Sequence, residues 1–332
     1  MNIAFIGAGR WALALAAHFS RHGHKTSLYE PSASLLDRLL ATRTHPDLPD
    51  GWTLPSELLV AADAAQVVSG AEILLFATPA AELTRAATDI APLLPKTLKT
   101  VVSVTKGLDP QTLRRISVRL HELMPRLPIV VLAGPAIPYD FAAGDPTSLV
   151  AASEDADSAR IVRTVFTSGH LRIYSHNDVA GVELAAAFKN VIALAAGIAT
   201  AIGLRTNARA ALLTRGLAEI IRLGLALNCN PLTFAGLAGM GDLIVTASSG
   251  HSRNYQLGLS VGSGEPADKA LARLNGVAEG YSTARTGLEL GRRLSVELPI
   301  TEQVYRILYE GAKPSEALRE LLRRTPKKEL WS

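Results

Sequence analysis

The sequence predicts an α/β domain built on a mostly parallel sheet, followed by an all-helical domain. Three observations carry this expectation. Short apolar runs alternate with helical patterns through the first half, the rhythm of βαβ units. A glycine motif sits at the junction of the first run and the first helix. Beyond Ser175 strand-like runs nearly vanish, and Ala/Leu-rich segments take over.

In chain order the expected strands are Asn2 to Ile6, Lys25 to Glu30, Leu58 to Ala62, Glu72 to Thr78, Lys99 to Thr105, Ile129 to Ala133, Thr147 to Ala152 and Leu171 to Ser175. Between them the apolar spacing predicts helices at Trp11 to His22, Ala33 to Ala41, Ala80 to Leu94, Gln111 to Leu123 and Asp155 to Phe166. The second half reads as helices at Val179 to Ile202, Ala208 to Leu227, Ser282 to Leu294 and Pro299 to Glu310, entered through the cap-like pair Asn177 and Asp178. The boundary is accordingly expected between residues 176 and 177, giving parts 1–176 and 177–332. Gly262 to Pro266 reads as an exposed connection, and Lys327 and Lys328 as a terminal tail.

Composition narrows the function classes. The chain has 332 residues, 48% hydrophobic and 19% charged, and 34 Lys+Arg against 30 Asp+Glu leave a net charge of only +4. Such a profile is that of a globular protein long enough for two cores. Basic residues are scattered, and no basic run is interleaved with aromatics, so nucleic acid is not the expected partner; a small anionic substrate is. One cysteine, Cys229, has no companion for a disulfide or a C-x-x-C site, which points to a reducing compartment. The apolar run between Lys189 and Arg205 spans 15 residues, short of the ~20 that cross a bilayer, and reads as a buried helix. MNIAFIGAGRW lacks the basic segment of a signal peptide. These readings give a cytoplasmic protein without membrane insertion.

Gly7-Ala8-Gly9-Arg10-Trp11-Ala12 is a G-x-G-x-x-A directly after a strand and opening a helix. In that setting Gly7 permits the tight turn, Gly9 admits a pyrophosphate to the backbone, and Ala12 keeps the helix close to the sheet. The free N–H groups of the helix start then face the phosphates. Glu30 ends the second strand, where a carboxylate can bind the adenosine ribose hydroxyls. Lys106 in SVTKGLD and the pair Gly134-Pro135 each follow a strand end, on the side where open α/β sheets bind ligands; position alone leaves Lys106 open between a solvated and a binding role.

Lys189 interrupts the apolar stretch LAAAFKNVIALAAG. A buried ammonium needs a compensating carboxylate, unless the side chain snorkels to the helix edge. Asp242, in the glycine-flanked GMGDL, is the candidate partner, a helix N-cap being its other reading. Ser252-Arg253-Asn254 offers a hydroxyl, a guanidinium and an amide in succession, suited to a phosphate. Gly276-Val277-Ala278-Glu279-Gly280 is a glycine-bracketed acid without an evident helical place. The eight histidines show no metal-site spacing; His18 and His22 read as a solvated helix end. No G-x-S-x-G elbow or Cys/His nucleophile pair is present.

Together these motifs resemble the bacterial NAD(P)-dependent sn-glycerol-3-phosphate dehydrogenase family, from Gly7 to about Glu310. The most specific stretches are SVTKGLD at Ser103 to Asp109, FKNVIALAAGIATAIGL with NARAALLTRGLAE after it, GLAGMGDL from Gly236, SRN, and VAEGYSTA from Val277. The resemblance implies a Rossmann-like N-terminal domain, a helical substrate domain, a cytoplasmic homodimer, NAD or NADP as cofactor, and reversible reduction of dihydroxyacetone phosphate for phospholipid synthesis. Position by position it puts the catalytic lysine at Lys189, and substrate contacts at Lys106, Gly134, Asp242, Ser252, Arg253 and Asn254. Cofactor contacts fall at Arg10, Trp11, Lys106, Arg253, Val277 and Glu279. Three departures stand out. Ala12 replaces the usual third glycine. Gly134-Pro135-Ala136-Ile137-Pro138 replaces G-P-S-F-A, removing a serine hydroxyl. Glu30-Pro31 stands where many members carry Arg or His. A dehydrogenase for another small hydroxy or keto acid, and a nucleotide sensor without turnover, are the other readings this architecture allows.

Overall fold

The structure, a computed structural model, describes residues 1–274, 276–325 and 328. The expected tail residue Lys327 lies outside the described residues, while Lys328 is exposed. In chain order the first half runs β1 (Asn2–Ile6), α1 (Arg10–Arg21), β2 (Lys25–Tyr29), α2 (Ala33–Thr42), β3 (Leu59–Ala61), α3 (Ala64–Val68), β4 (Ile73–Phe76), α4 (Ala80–Ile90), β5 (Thr100–Ser103), α5 (Ile116–Leu123), β6 (Ile129–Ala133), α6 (Pro138–Ala142), β7 (Thr147–Ala152), α7 (Ala156–Phe166) and β8 (Leu171–His176). The second half holds α8 (Val179–Ala201), α9 (Thr206–Ala226), α10 (Pro231–Ala235), α11 (Asp242–Ser248), α12 (Arg253–Gly262), α13 (Ala267–Arg273), α14 (Glu279–Arg293), α15 (Pro299–Tyr309) and α16 (Pro314–Arg323). Among the described residues no strand follows β8.

The strands form one sheet in the order β3-β2-β1-β4-β5-β6-β7-β8, parallel throughout except for the antiparallel pair β6–β7. Side chains alternate across the pleat, which is why β1 feeds two cores. Ile3 and Phe5 pack with Ala12, Leu13 and Phe19 of α1, whereas Ala4 and Ile6 pack with Val67 of α3 and Leu83 of α4. Each such large side chain contributes about 1.5–3 kcal/mol on burial. The chain leaves β1 for β2 on one side and returns to β4 on the other, so a crevice opens beyond the C-terminal ends of β1 and β4.

The core of the second half is built around α8, whose Phe188, Val191, Ile192 and Leu194 are fully or almost fully buried. Asp178 starts this helix as its N-cap, accepting from the Gly181 N–H at 2.9 Å. Val179, Val182 and Ala186 at the same end rest on Val131, Ala133, Val150 and Ala152 of β6 and β7, so one helix joins both halves. By length and composition α8 is apolar enough to cross a membrane; 89% of its most apolar window is buried inside the protein.

Several expectations need correction. The expected helix from Gln111 begins only at Ile116, because the Asp109 carboxylate accepts from the N–H groups of Gln111 and Thr112 at 3.1 and 2.8 Å and holds a turn, with Leu113 at φ 60°. Glu279 is not a loop acid: it opens α14, three residues ahead of the expected start. His18 is not solvated but 4% exposed, its ring 4.2 Å from that of His22 and 4.8 Å from that of His170. No group among the described residues is arranged to hold a metal ion. The helices α10 to α13 occupy a stretch in which motifs and an exposed connection, but no helices, were expected.

Candidate active site

The glycine turn follows from its surroundings. Gly7 adopts φ 96°, its N–H donating to the Tyr29 carbonyl at 3.0 Å; a Cβ there would lie 3.2 Å from both the Ala77 oxygen and Thr78 Cγ2. Gly9 is the N-cap of α1 and offers no side-chain cap, while the place its Cβ would take is open. Ala12 is wholly buried against the sheet. Unsatisfied N–H groups at the start of α1 therefore face free space, as a phosphate site requires. Glu30 is 7% exposed, and its carboxylate accepts from the N–H groups of Ala8 at 3.3 Å and Ser32 at 2.8 Å; burial raises its pKa, against those two bonds. Trp11 turns the other way and meets Phe141 of α6 edge-on at 5.2 Å.

Arg10 does not reach toward Glu30. Its guanidinium lies 4.0 Å from Asp47 and donates to the His251 carbonyl at 3.4 Å, and its buried Nε has no partner. Burial, then the neighbouring Arg253, bring its pKa down to about 10, with Asp47 opposing. A buried guanidinium with an unpaired donor, beside an uncapped helix start, fits a diphosphate-bearing nucleotide.

The second group converges from three elements. Lys189, on α8, is 4% exposed and donates to Asp242 Oδ1 at 2.7 Å and to the Thr246 hydroxyl. Lys106, from the loop after β5, donates to Asp242 Oδ2 at 2.7 Å and to the Gly134 carbonyl at 3.1 Å. Asp242 is wholly buried at the first position of α11; Gly241 is the N-cap and the carboxylate makes no cap bond, so the partner reading holds and the N-cap reading does not. Burial brings the Lys189 pKa down to about 7; Asp242 opposes that shift and Lys106 adds to it. An ammonium has three donors, and two of those on Lys189 are engaged within the protein.

A chain of amides fixes this group. Asn190 donates to the Lys106 carbonyl at 3.2 Å and accepts from Asn254 at 2.9 Å, while Asn254 accepts from the Gly280 N–H at 2.8 Å. Gly134 is held at φ 145°, with Leu149 Cα 3.1 Å from where a Cβ would sit. Ser252 caps α12, its hydroxyl accepting from the Tyr255 N–H at 3.3 Å, so Arg253 and Asn254 are the first two helical residues. The Arg253 guanidinium donates to the Val277 carbonyl at 3.2 Å, and burial lowers its pKa. Val277 leaves its side chain 46% exposed. The Glu279 carboxylate reaches across to the first half and accepts from the Ala80 N–H at 3.0 Å, at the start of α4.

The residues singled out thus form three groups: the glycine turn with Glu30; Arg10 with Arg253; and Lys106, Lys189 and Asp242. Sequence reasoning passed over Asn190 and Thr246. Asn190 follows Lys189 in an otherwise apolar helix, and Thr246 stands four residues after Asp242, on the same helix face; both were signals in plain view.

Two family models, described as the N-terminus and the C-terminus of NAD-dependent glycerol-3-phosphate dehydrogenase, match residues 2–159 and 178–319. The chain is 41% identical over 330 residues to a glycerol-3-phosphate dehydrogenase (NAD(P)+) of Desulfitobacterium hafniense, covering 99% of this chain and 93% of that protein. A protein of the same description from Geobacillus kaustophilus is 39% identical, with 99% and 96% covered. The crystal structure of glycerol-3-phosphate dehydrogenase from Coxiella burnetii superposes with a TM-score of 0.93 at 31% identity, over 97% of this chain and 99% of that one. A nucleotide-type glycine turn, a buried lysine–aspartate–lysine cluster and full-length likeness agree: this chain belongs to the NAD-dependent glycerol-3-phosphate dehydrogenase family.

Proposed function

We propose that this chain reversibly reduces dihydroxyacetone phosphate to sn-glycerol 3-phosphate with NADH or NADPH, the product serving glycerophospholipid synthesis. The observation that carries the proposal is the Lys189–Asp242–Lys106 cluster: a buried ammonium with a proton to give, set between two halves that each match this family. Another hydroxy or keto acid as substrate, or a sensor without turnover, is not favoured.

The cofactor is held by the turn Gly7 to Ala12, in which Trp11 takes part through its backbone N–H while its ring stays on Phe141, by Glu30 at the ribose, and by Arg10, Lys106, Arg253, Val277 and Glu279. When bound, it supplies the hydride that reaches the carbonyl carbon. Lys189 donates the third hydrogen of Nζ to the ketone oxygen, where negative charge develops, and Asp242 and Thr246 keep Nζ aimed. With a pKa near 7 this lysine gives its proton readily in reduction and takes it back in the reverse reaction. Lys106 adds a second positive charge that favours the oxyanion, and the Gly134 carbonyl holds it in place. The substrate phosphate meets the Arg253 guanidinium and the N–H groups of Arg253 and Asn254 at the start of α12, beside Ser252. The same reading divides the chain into a nucleotide-binding part, 1–176, and a substrate part, 177–332, and takes the enzyme as a cytoplasmic homodimer. Oxidation of NADH and NADPH, followed by absorbance with dihydroxyacetone phosphate as substrate, tests it; NADH binding without substrate-dependent turnover would reject the reaction.

A further inference from the structure

Between α2 and β3 the chain runs through a long connection whose Leu48, Trp52 and Leu54 are buried in the core on the α1 side. These anchors fix the preceding turn, where the Asp47 N–H donates to His45 Nδ1 at 3.1 Å, and so they fix where the Asp47 carboxylate stands. It stands in a cavity of about 560 Å³ that straddles the two halves. Arg10, Pro46 and Tyr139 line it from one side, and His251, Arg253 and Arg273 from the other. Tyr139 stacks on His251 at 4.2 Å and closes one wall.

The charges in this cavity do not balance. Arg273 is already paired with Glu265 at 2.7 Å. That leaves the guanidiniums of Arg10 and Arg253, both brought below the ordinary arginine range by burial, with Arg253 adding to the shift of Arg10; Asp47 opposes the shift at both, and Glu279, from outside the cavity lining, opposes it at Arg253. Asp47 approaches Arg10 only to 4.0 Å, which is longer than a committed charge-assisted hydrogen bond and leaves the guanidinium donors available to a better acceptor.

We propose that Asp47 sets the affinity of this site for phosphates: its carboxylate stands in for a ligand phosphate between Arg10 and Arg253 and must give way when one binds. It is a residue that tunes binding and release, and it takes no part in the proton transfer. The proposal rests on the reading that Arg10 and Arg253 meet phosphate groups of the cofactor. The neutral variant Asp47→Asn keeps the shape of the side chain and removes the competing charge. Two cations then face the incoming phosphates without that carboxylate, Glu279 still acting on Arg253.

The test is equilibrium titration of NADH, with stopped-flow dissociation, on the wild-type protein, Asp47→Asn, Arg10→Gln, Arg253→Ala and the double variant Arg10→Gln/Asp47→Asn. Asp47→Asn is expected to bind NADH about two- to fivefold more tightly, the range set by a partly exposed ion pair, through slower dissociation and with a steeper loss on adding salt. The gain should shrink in the double variant, since the two residues act on each other. Unchanged or weaker NADH binding in Asp47→Asn, with Arg10→Gln and Arg253→Ala still weakening it, would overturn the proposal and leave the phosphate reading standing. Unchanged binding in both arginine variants would instead remove the reading itself.

Discussion

Replacing Lys189 by Met tests the chemistry most directly. Methionine keeps the length and the apolar stem but has no proton to give, and the site tolerates the loss because Asp242 retains Lys106 at 2.7 Å. The carboxylate is therefore not left as an uncompensated buried charge, the usual reason such a variant fails to fold. A positioned acid supplies about 10²–10⁴ in rate, so kcat for dihydroxyacetone phosphate reduction should fall by at least about 10²-fold, or ~2.7 kcal/mol in barrier. NADH should bind within about twofold of wild type, since no Lys189 atom belongs to the glycine turn. The pH profile adds a second readout. Lys189 is protonated below about 7 and neutral above it. The wild-type reduction rate is thus expected to fall as pH rises through 7, and oxidation of glycerol 3-phosphate, which needs the neutral amine, to rise over the same interval. Both limbs should vanish in Lys189→Met. Turnover near that of wild type, or limbs that persist in the variant, would remove Lys189 as the proton donor.

Arg253→Ala should raise KM for dihydroxyacetone phosphate by ten- to a hundredfold, since hydrogen bonds to a charged group contribute about 1.5–3 kcal/mol; an unchanged KM assigns the phosphate to other residues. NADH should exceed NADPH by about tenfold in kcat/KM, because the 2′-phosphate would meet the Glu30 carboxylate while Arg10 is turned toward Asp47 and His251; equal turnover with both cofactors refutes this placement. The pKa of His18 is brought down from 6.5 to about 3, first by burial and then by His22 and His170, so the unfolded chain takes up a proton that the folded one refuses. Stability is then complete above 6.5 and declines as pH falls toward 3. Urea unfolding at pH 7 and pH 5 should show a loss that His18→Gln reduces, and an equal loss in both proteins would exclude the ring as its source.

Legibility in the sequence followed the range of the interactions. The strands were visible because a short continuous apolar run such as β1 or β6 is a property of neighbouring residues; each expected run contains the strand observed except the last, where β8 goes one residue further, to His176. Helix starts fixed from afar were not visible. The beginning of α5 is held by Glu183 of α8, which accepts from the Ser117 N–H at 2.8 Å and from Arg115 at 2.9 Å. The burial of His18 likewise depends on His170 and on Ser168, whose hydroxyl is 2.9 Å from its Nε2, both far along the chain. In the site, Lys189 and Asp242 announced themselves as polar residues in apolar surroundings. Asp47 gave no such sign, since an acid in a proline-flanked polar stretch looks like any solvated loop residue until the fold brings Arg10 beside it.

The helix α8, seated in both halves, also makes its own winding a part of the catalyst. Ala186 is seated on the sheet and Lys189 is aimed at Asp242, three residues later on the same rod. An α-helix advances about 100° per residue, so the bearing of one side chain dictates that of the other. One residue inserted between them would keep composition, charge and helix propensity nearly unaltered. It would nevertheless swing Nζ away from Asp242 by more than a quarter of a turn, or else tear Val179, Val182 and Ala186 off β6 and β7. Deletions and insertions in this short stretch are thereby barred by phase alone, and exchange of halves between relatives succeeds only where the crossover preserves the count of residues from the sheet-seated end of the helix to its lysine.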